Sequence, residues 1–201
     1  MNPVELSERQ SEILERSIEI IAEKGIQGFT TRELSRRIGI SEPALYRHFD
    51  SKHAILVAIL EQFAIWSSRV LQEIVQSDRS PENKLRAFFL QHTKRFLEYP
   101  ATSGIFFAVE IFMDQRELID TISRVMESAE GYVRSILDEG IESGIFRREV
   151  PMQHQAMTVL GTLRLLVTRW YLSKYQFDLA QEGAALAESI ISLLSVAGNK
   201  R

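Results

Sequence analysis

Gly25-Ile-Gln-Gly-Phe-Thr-Thr-Arg-Glu-Leu-Ser-Arg-Arg-Ile-Gly-Ile-Ser-Glu-Pro-Ala-Leu-Tyr-Arg-His-Phe-Asp-Ser-Lys52 is the stretch that decides how this chain folds. Thr30 and Glu33 stand at the spacing of a capping box, in which two side chains satisfy free N–H groups at a helix start. That start opens a short helix over Leu34 and Ile38, and Gly39 ends it. Ser41 then caps a third helix with Pro43 in its first turn, where a missing N–H costs nothing. Leu45 and Phe49 face the core of that helix. Two short helices joined by a tight glycine-containing turn make a helix-turn-helix, whose second helix fits the major groove of DNA.

The same punctuation runs outward on both sides. Upstream, Ser7-Glu-Arg-Gln10 is another capping box, and Ile13, Ile18, Ile21 and Ala22 carry a helix to Lys24, where Gly25 supplies a left-handed end. Downstream, a long helix runs from about Ser51 to Gln76 through Ile55, Leu56, Ile59, Leu60 and Phe63. Ser80-Pro81 starts the next, towards Tyr99. After Pro100 comes a short, nearly all-apolar helix reaching Met113, then a longer one from roughly Gln115 to Glu142. Residues 143–150 form a connector, Pro151 opens a helix to about Ser173, and Asp178 caps the last, which ends before Gly198. With few alternating β-branched runs, the fold is all-α, with about nine helices.

Composition sets the class. The chain has 201 residues, 45% of them hydrophobic and 25% charged, as in a soluble globular protein. It has no cysteine, so disulfide frameworks, thiol nucleophiles and cysteine metal sites are excluded. No apolar signal segment or run of 18 apolar residues occurs, so a cytoplasmic protein without membrane spans is expected. The net charge of −3 looks wrong for a nucleic-acid binder. Yet residues 31–53 hold five basic side chains (Arg32, Arg36, Arg37, Arg47, Lys52) against three acidic ones (Glu33, Glu42, Asp50), with His48 and His53 in addition. Phosphate binding needs a local basic face rather than a basic chain.

The quoted string closely resembles the DNA-binding domain of the TetR family of transcriptional regulators. The turn, the Tyr46-Arg-His-Phe49 end of the recognition helix and Ser51-Lys52 at the next helix all match, over about residues 7–60. The resemblance implies a helix-turn-helix DNA-binding domain at 1–53 and a helical effector-binding and dimerisation domain at 54–201. It implies that Thr31 offers its hydroxyl and N–H to a phosphate at a positive helix end, with Arg32 beside it reaching a phosphate or a guanine edge. Glu42, Pro43 and Ala44 occupy positions that meet bases in the family. Tyr46 and His48 would bond the DNA backbone, Lys52 would hold a phosphate, and Arg47, facing away from Leu45 and Phe49, is a further contact. Glu42 has two readings: it accepts from cytosine N4, or it favours its own helix N-terminus and touches no DNA. Tyr46 has a core reading too; Phe49 reads as core, and Arg36 and Arg37 as solvated surface.

The resemblance also implies a homodimer, with the last two helices of each chain forming a four-helix bundle. The residues support this independently. Residues 152–173 carry an apolar stripe (Val159, Leu160, Leu163, Leu166, Val167, Trp170), yet the opposite side still holds Gly161, Leu165 and Leu172. The last helix has Leu186, Ile190 and Leu193 as well as Ala187, Ile191 and Leu194. Burial within one chain is the competing account. Candidate contacts for a small, largely apolar effector are Trp66, Phe89, His92, Phe96, Phe106, Glu110, Met113, Arg164 and Trp170. His92 reads equally well as a core histidine satisfied by a neighbour. Glu110 and Arg164 read equally as an ion pair between elements, because unpaired buried charge is costly.

The expected function is a ligand-responsive transcriptional repressor that binds a pseudo-palindromic operator as a dimer and is released by its effector. A helical scaffold without DNA binding is the alternative. An enzyme is not expected. Glu-x-x-His pairs, His-Glu-x-x-His and P-loop motifs are absent, and four histidines make a zinc site improbable, so neither metal nor cofactor is expected.

Overall fold

The computed structural model describes residues 6–107 and 115–196. Among these residues run nine α-helices: α1 (Glu8–Gly28), α2 (Thr31–Ile38), α3 (Glu42–Tyr46), α4 (Lys52–Gln76), α5 (Pro81–Glu98), α6 (Pro100–Phe107), α7 (Arg116–Glu142), α8 (Met152–Leu172) and α9 (Leu179–Leu194). The fold is all-α. Its one extended pairing among the described residues is an isolated antiparallel bridge between Phe146 and Ser195.

Most helix ends are where local chemistry puts them. Ser7 and Gln10 make the full capping box of α1. Ser41 Oγ accepts from the Ala44 N–H at the start of α3, and Asp178 accepts from the Gln181 N–H at the start of α9. Gly39, at φ 76° and ψ 32°, is the left-handed residue that closes α2. Two ends differ from expectation. Gly25 does leave the helical region, at φ 70° and ψ 172°, but one more turn follows and α1 closes only at Phe29. Thr30 Oγ1 accepts from the Glu33 N–H as a cap should, while the Glu33 carboxylate turns to Lys24 and Arg36. A carboxylate gains more from two cations than from one neutral N–H.

The chain divides into two compact units, residues 1–65 with 99–124, and residues 66–98 with 125–201. In the first, α1, α2, α3 and the start of α4 share one core with α6 and the start of α7. Ile13, Ile20, Phe29, Leu34, Leu45, Leu56 and Leu60 pack there with Ala101, Ile105, Leu118 and Ile122. Nothing in the residue pattern announces that α6 and α7 join this core.

The second unit packs α5 against α8 and α9 around Phe88, Phe89, Val159, Leu163, Val167, Ile190 and Leu194. Lys84, almost fully buried, is held by Glu139 of α7 at 2.6 Å. The connector after α7 is fastened to the end of α9: the Arg147 N–H donates to the Leu194 carbonyl at 2.7 Å and Arg147 Nε to the Ser195 carbonyl at 2.7 Å. Phe146, in the middle of this connector, is buried. α4 is long and apolar enough by composition to cross a membrane, but its side chains fill protein cores, with Ile55, Leu56, Ile59, Leu60 and Phe63 in the first unit and Leu71 and Ile74 in the second.

Candidate nucleic-acid interface

Burial sorts the helix-turn-helix into two faces. Phe29, Leu34, Leu45 and Phe49 point into the core of the first unit. That leaves Arg32, Pro43, Tyr46 and Arg47 exposed, with Thr31, Glu42, Ala44, His48 and Lys52 half-buried beside them. The backbone of α3 is pinned at its end, where Gln10 Nε2 donates to the His48 carbonyl at 3.4 Å. A helix of barely more than one turn needs such outside support, since its own hydrogen bonds do not offset the ordering of its residues.

Charge is sorted as well. Glu33 accepts from Arg36 and Lys24 and its carboxyl is held down to about 2, chiefly by the Arg36 bond and then by Lys24. Arg37 grips Glu23 with both guanidinium nitrogens, at 2.8 and 2.7 Å. Arg36 and Arg37 therefore sit in surface ion pairs, whereas no ion pair among the described residues engages Arg32 or Arg47. Lys52 lies with its ammonium 5.5 Å from the centre of the Phe29 ring. Burial there lowers its pKa from the ordinary lysine value, and the ring face offsets part of the lost hydration.

Thr31 and Glu42 are joined directly: Thr31 Oγ1 donates to Glu42 Oε2 at 2.8 Å, tying the first turn of α2 to the first turn of α3. The sequence offered Glu42 a base or its own helix end as partners, and the fold adds a third. In α2, Thr30 takes the N–H groups of Glu33 and Leu34. Among the described residues no acceptor takes the earlier first-turn N–H groups, those of Thr31 and Arg32, as is usual at a helix start.

A family model for bacterial regulatory proteins of the tetR family matches residues 13–59, and one for the C-terminal region of YsiA-like proteins matches residues 61–197. The chain belongs to the TetR family. The fatty acid metabolism regulator protein of Bacillus subtilis is 22% identical over 91% of this chain and 92% of its own length. Among solved structures, the ketosteroid transcriptional regulator KstR2 of Mycobacterium tuberculosis superposes with a TM-score of 0.79 at 22% identity, over 96% of this chain and 97% of that one. The transcriptional regulator FadR from Bacillus subtilis in complex with stearoyl-CoA gives a TM-score of 0.75 at 21% identity, over 92% of this chain and 97% of that one. Both structural likenesses concern the fold.

TetR-family proteins are DNA-binding, ligand-responsive transcriptional regulators that act as dimers, and this chain is one of them. Its candidate effector contacts fall in several places. Trp66, Phe89, His92 and Phe96 lie on α4 and α5 in the second unit, and the His92 ring stands 5.4 Å from Trp66 and 4.5 Å from Phe88. Phe106 belongs to the first unit, edge-on to Phe63 at 4.8 Å. Arg164 is exposed on α8, with a guanidinium nitrogen 3.5 Å from the Met126 sulfur. Trp170 is buried at the end of α8, its indole N–H donating to the Phe177 carbonyl at 3.1 Å and its ring against Tyr175. Glu110 and Met113 lie outside the described residues.

His92 is bonded on both nitrogens: Nδ1 lies 2.8 Å from the Phe88 carbonyl and Nε2 lies 3.3 Å from Ser67 Oγ. A carbonyl only accepts, so Nδ1 carries the proton and Nε2 takes the Ser67 hydroxyl proton. Burial pushes the His92 pKa from 6.5 down to about 4, outweighing the bond to the Phe88 carbonyl, which acts in the opposite direction. Between those values the unfolded chain binds a proton that the fold refuses, so stability is intact above the unfolded value and falls as pH drops through the window. From about pH 7.5 to about pH 4.5 this residue should cost about 2–3 kcal/mol. Urea unfolding of wild type and His92→Phe at both pH values measures it; an equal loss in the two proteins would refute the assignment.

Proposed function

We propose that this TetR-family chain is a repressor whose dimer grips a pseudo-palindromic operator and lets go when an effector of the acyl-CoA class, an apolar acyl chain on a charged coenzyme A, binds the helical body. What carries the reading is the exposed strip of Arg32, Pro43, Tyr46 and Arg47, flanked by Lys52, on a helix-turn-helix whose other face is fully packed. Thr31, Glu42, Ala44 and His48 complete the DNA-facing set. In this reading residues 1–53 read DNA, and residues 54–201 bind the effector and the second subunit. A protein with that task works in the cytoplasm, where the DNA is.

The acyl-CoA class is suggested by the relatives, a fatty acid metabolism regulator and a FadR structure holding stearoyl-CoA. The aromatic set Trp66, Phe89, His92 and Phe96, with Phe106, Glu110, Met113, Arg164 and Trp170, remains the candidate contact set. Dimerisation is assigned to the outer faces of α8 and α9. Met157, Leu165, Leu172 and Leu193 are exposed there, and a Cβ placed on Gly161 meets nothing within 4 Å of its own chain.

The test is footprinting on the DNA upstream of the chain's own gene, with and without stearoyl-CoA. A protected palindrome that disappears with the acyl-CoA is expected, and an unprotected region at low salt would overturn the operator reading. Lys52→Ala should weaken specific and non-specific DNA alike and flatten the salt dependence by about one unit per half-site. Effector and operator must also oppose each other reciprocally, so saturating operator should weaken acyl-CoA binding by the factor by which acyl-CoA weakens operator binding. Equal acyl-CoA affinity in both conditions would exclude that class as inducer.

A further inference from the structure

We propose that Glu42 is a specificity-determining residue of the DNA interface, and that it selects cytosine at one position of each half-site. This rests on the operator-binding reading above. Its carboxylate sits on the first turn of the recognition helix, half-buried, with one oxygen held by the Thr31 hydroxyl at 2.8 Å. The bond spans two helices, so it fixes the direction of a side chain that would otherwise sample several rotamers. A carboxylate near phosphates is repelled by them; the Thr31 hydroxyl and the positive start of α3 offset part of that repulsion, and a donating base offsets more. In the major groove cytosine's N4 amino group is flanked by an acceptor on one side only, the O6 of the paired guanine, whereas adenine's N6 donor lies between its own N7 and the O4 of the paired thymine. An acceptor-only group held in one orientation therefore fits cytosine and is opposed by guanine, whose major-groove edge offers only acceptors.

Thr31 acts here as a positioning residue. With its hydroxyl given to Glu42, the phosphate at the start of α2 is met by the backbone N–H groups of Thr31 and Arg32. Removing the hydroxyl leaves those groups in place but frees the carboxylate to rotate.

The test is selection from random-sequence duplexes by the full-length wild type, Glu42→Ala, Glu42→Gln and Thr31→Val, each read by sequencing. The wild type should enrich a palindrome with cytosine at one symmetry-related position, favoured about tenfold or more over the other bases. Glu42→Ala should lose that preference and keep the remaining positions. Glu42→Gln, which has a donor as well as an acceptor, should move the preference to adenine. Thr31→Val should broaden it while the rest of the motif stands. The same motif from Glu42→Ala, with only a uniform gain in affinity, would overturn the proposal and leave Glu42 as a charge that merely orders α2 and α3. A wild type that enriches no palindrome would instead overturn the operator reading itself.

Discussion

Leu193→Glu is expected to yield a folded monomer that binds its operator about 100-fold or more weakly. In the protomer Leu193 is 65% exposed, and it shares the outer faces of α8 and α9 with Leu165 at 61%, Met157 at 69% and Leu172 at 71%. Soluble proteins avoid leaving so many large apolar side chains together in water. The residues that hold α8 and α9 to their own chain are different ones, Val159, Leu163, Val167, Ala187, Ile190 and Ile191. A glutamate at 193 therefore leaves the protomer core intact but would bury a carboxylate, and its symmetry mate, in an interface of apolar groups. Two heads on one operator bind with an advantage of about 100-fold to 10,000-fold over one head, and a monomer forfeits it. Sedimentation velocity, gel shift and far-UV circular dichroism together check this. A variant that stays dimeric at micromolar concentration would remove α9 from the interface. Gly161→Leu, which fills open space on α8, should act in the same direction through steric separation.

Gly140→Ala is expected to cost about 3 kcal/mol, a large part of the stability of an ordinary domain. A Cβ on Gly140 would run into Cδ2 of Phe146 and stand 2.5 Å from its Cε2. Phe146 cannot simply swing away. It is 1% exposed, and the residues beside it are bonded to the end of α9, with the Val196 N–H on the Ile145 carbonyl at 3.0 Å and Arg147 on Leu194 at 2.7 Å. Relief must come from moving α7 away from the connector or from forcing the ring off its rotamer. Urea unfolding measures the loss. The double variant Gly140→Ala with Phe146→Leu should recover part of it, because a smaller side chain gives the methyl room and the two changes are coupled by contact. Strict additivity of the two single effects would show that the strain lies elsewhere.

The sequence by itself determined the helix starts, the reading head and the family. A cap is a bond between residues three apart, so Ser7 with Gln10, Ser41 with Ala44 and Asp178 with Gln181 were legible one after another. The core of the head was legible from spacing, because Leu34 and Leu45 face inward from their short helices and Phe49, three residues past the end of α3, follows Leu45 by four. The surplus of apolar residues on the last two helices was visible for the same reason, and Leu165, Leu172 and Leu193 are indeed left in solvent by the protomer.

Tertiary structure alone decided which elements pair across distance. Thr31 reaches Glu42 eleven residues on, and Ser67 meets His92 at a separation of 25, because two helices cross there and not because of any local preference. Glu33 was legible as half of a capping box, yet Lys24 from the preceding helix comes close enough to compete for it. The packing of α6 and the start of α7 into the same core as the reading head was equally hidden. Residues 100–107 set small and weakly polar residues (Ala101, Thr102, Ser103, Gly104) ahead of Ile105 and Phe106, so periodicity gave them no preferred face, and only the shape of the surface they pack against selected one.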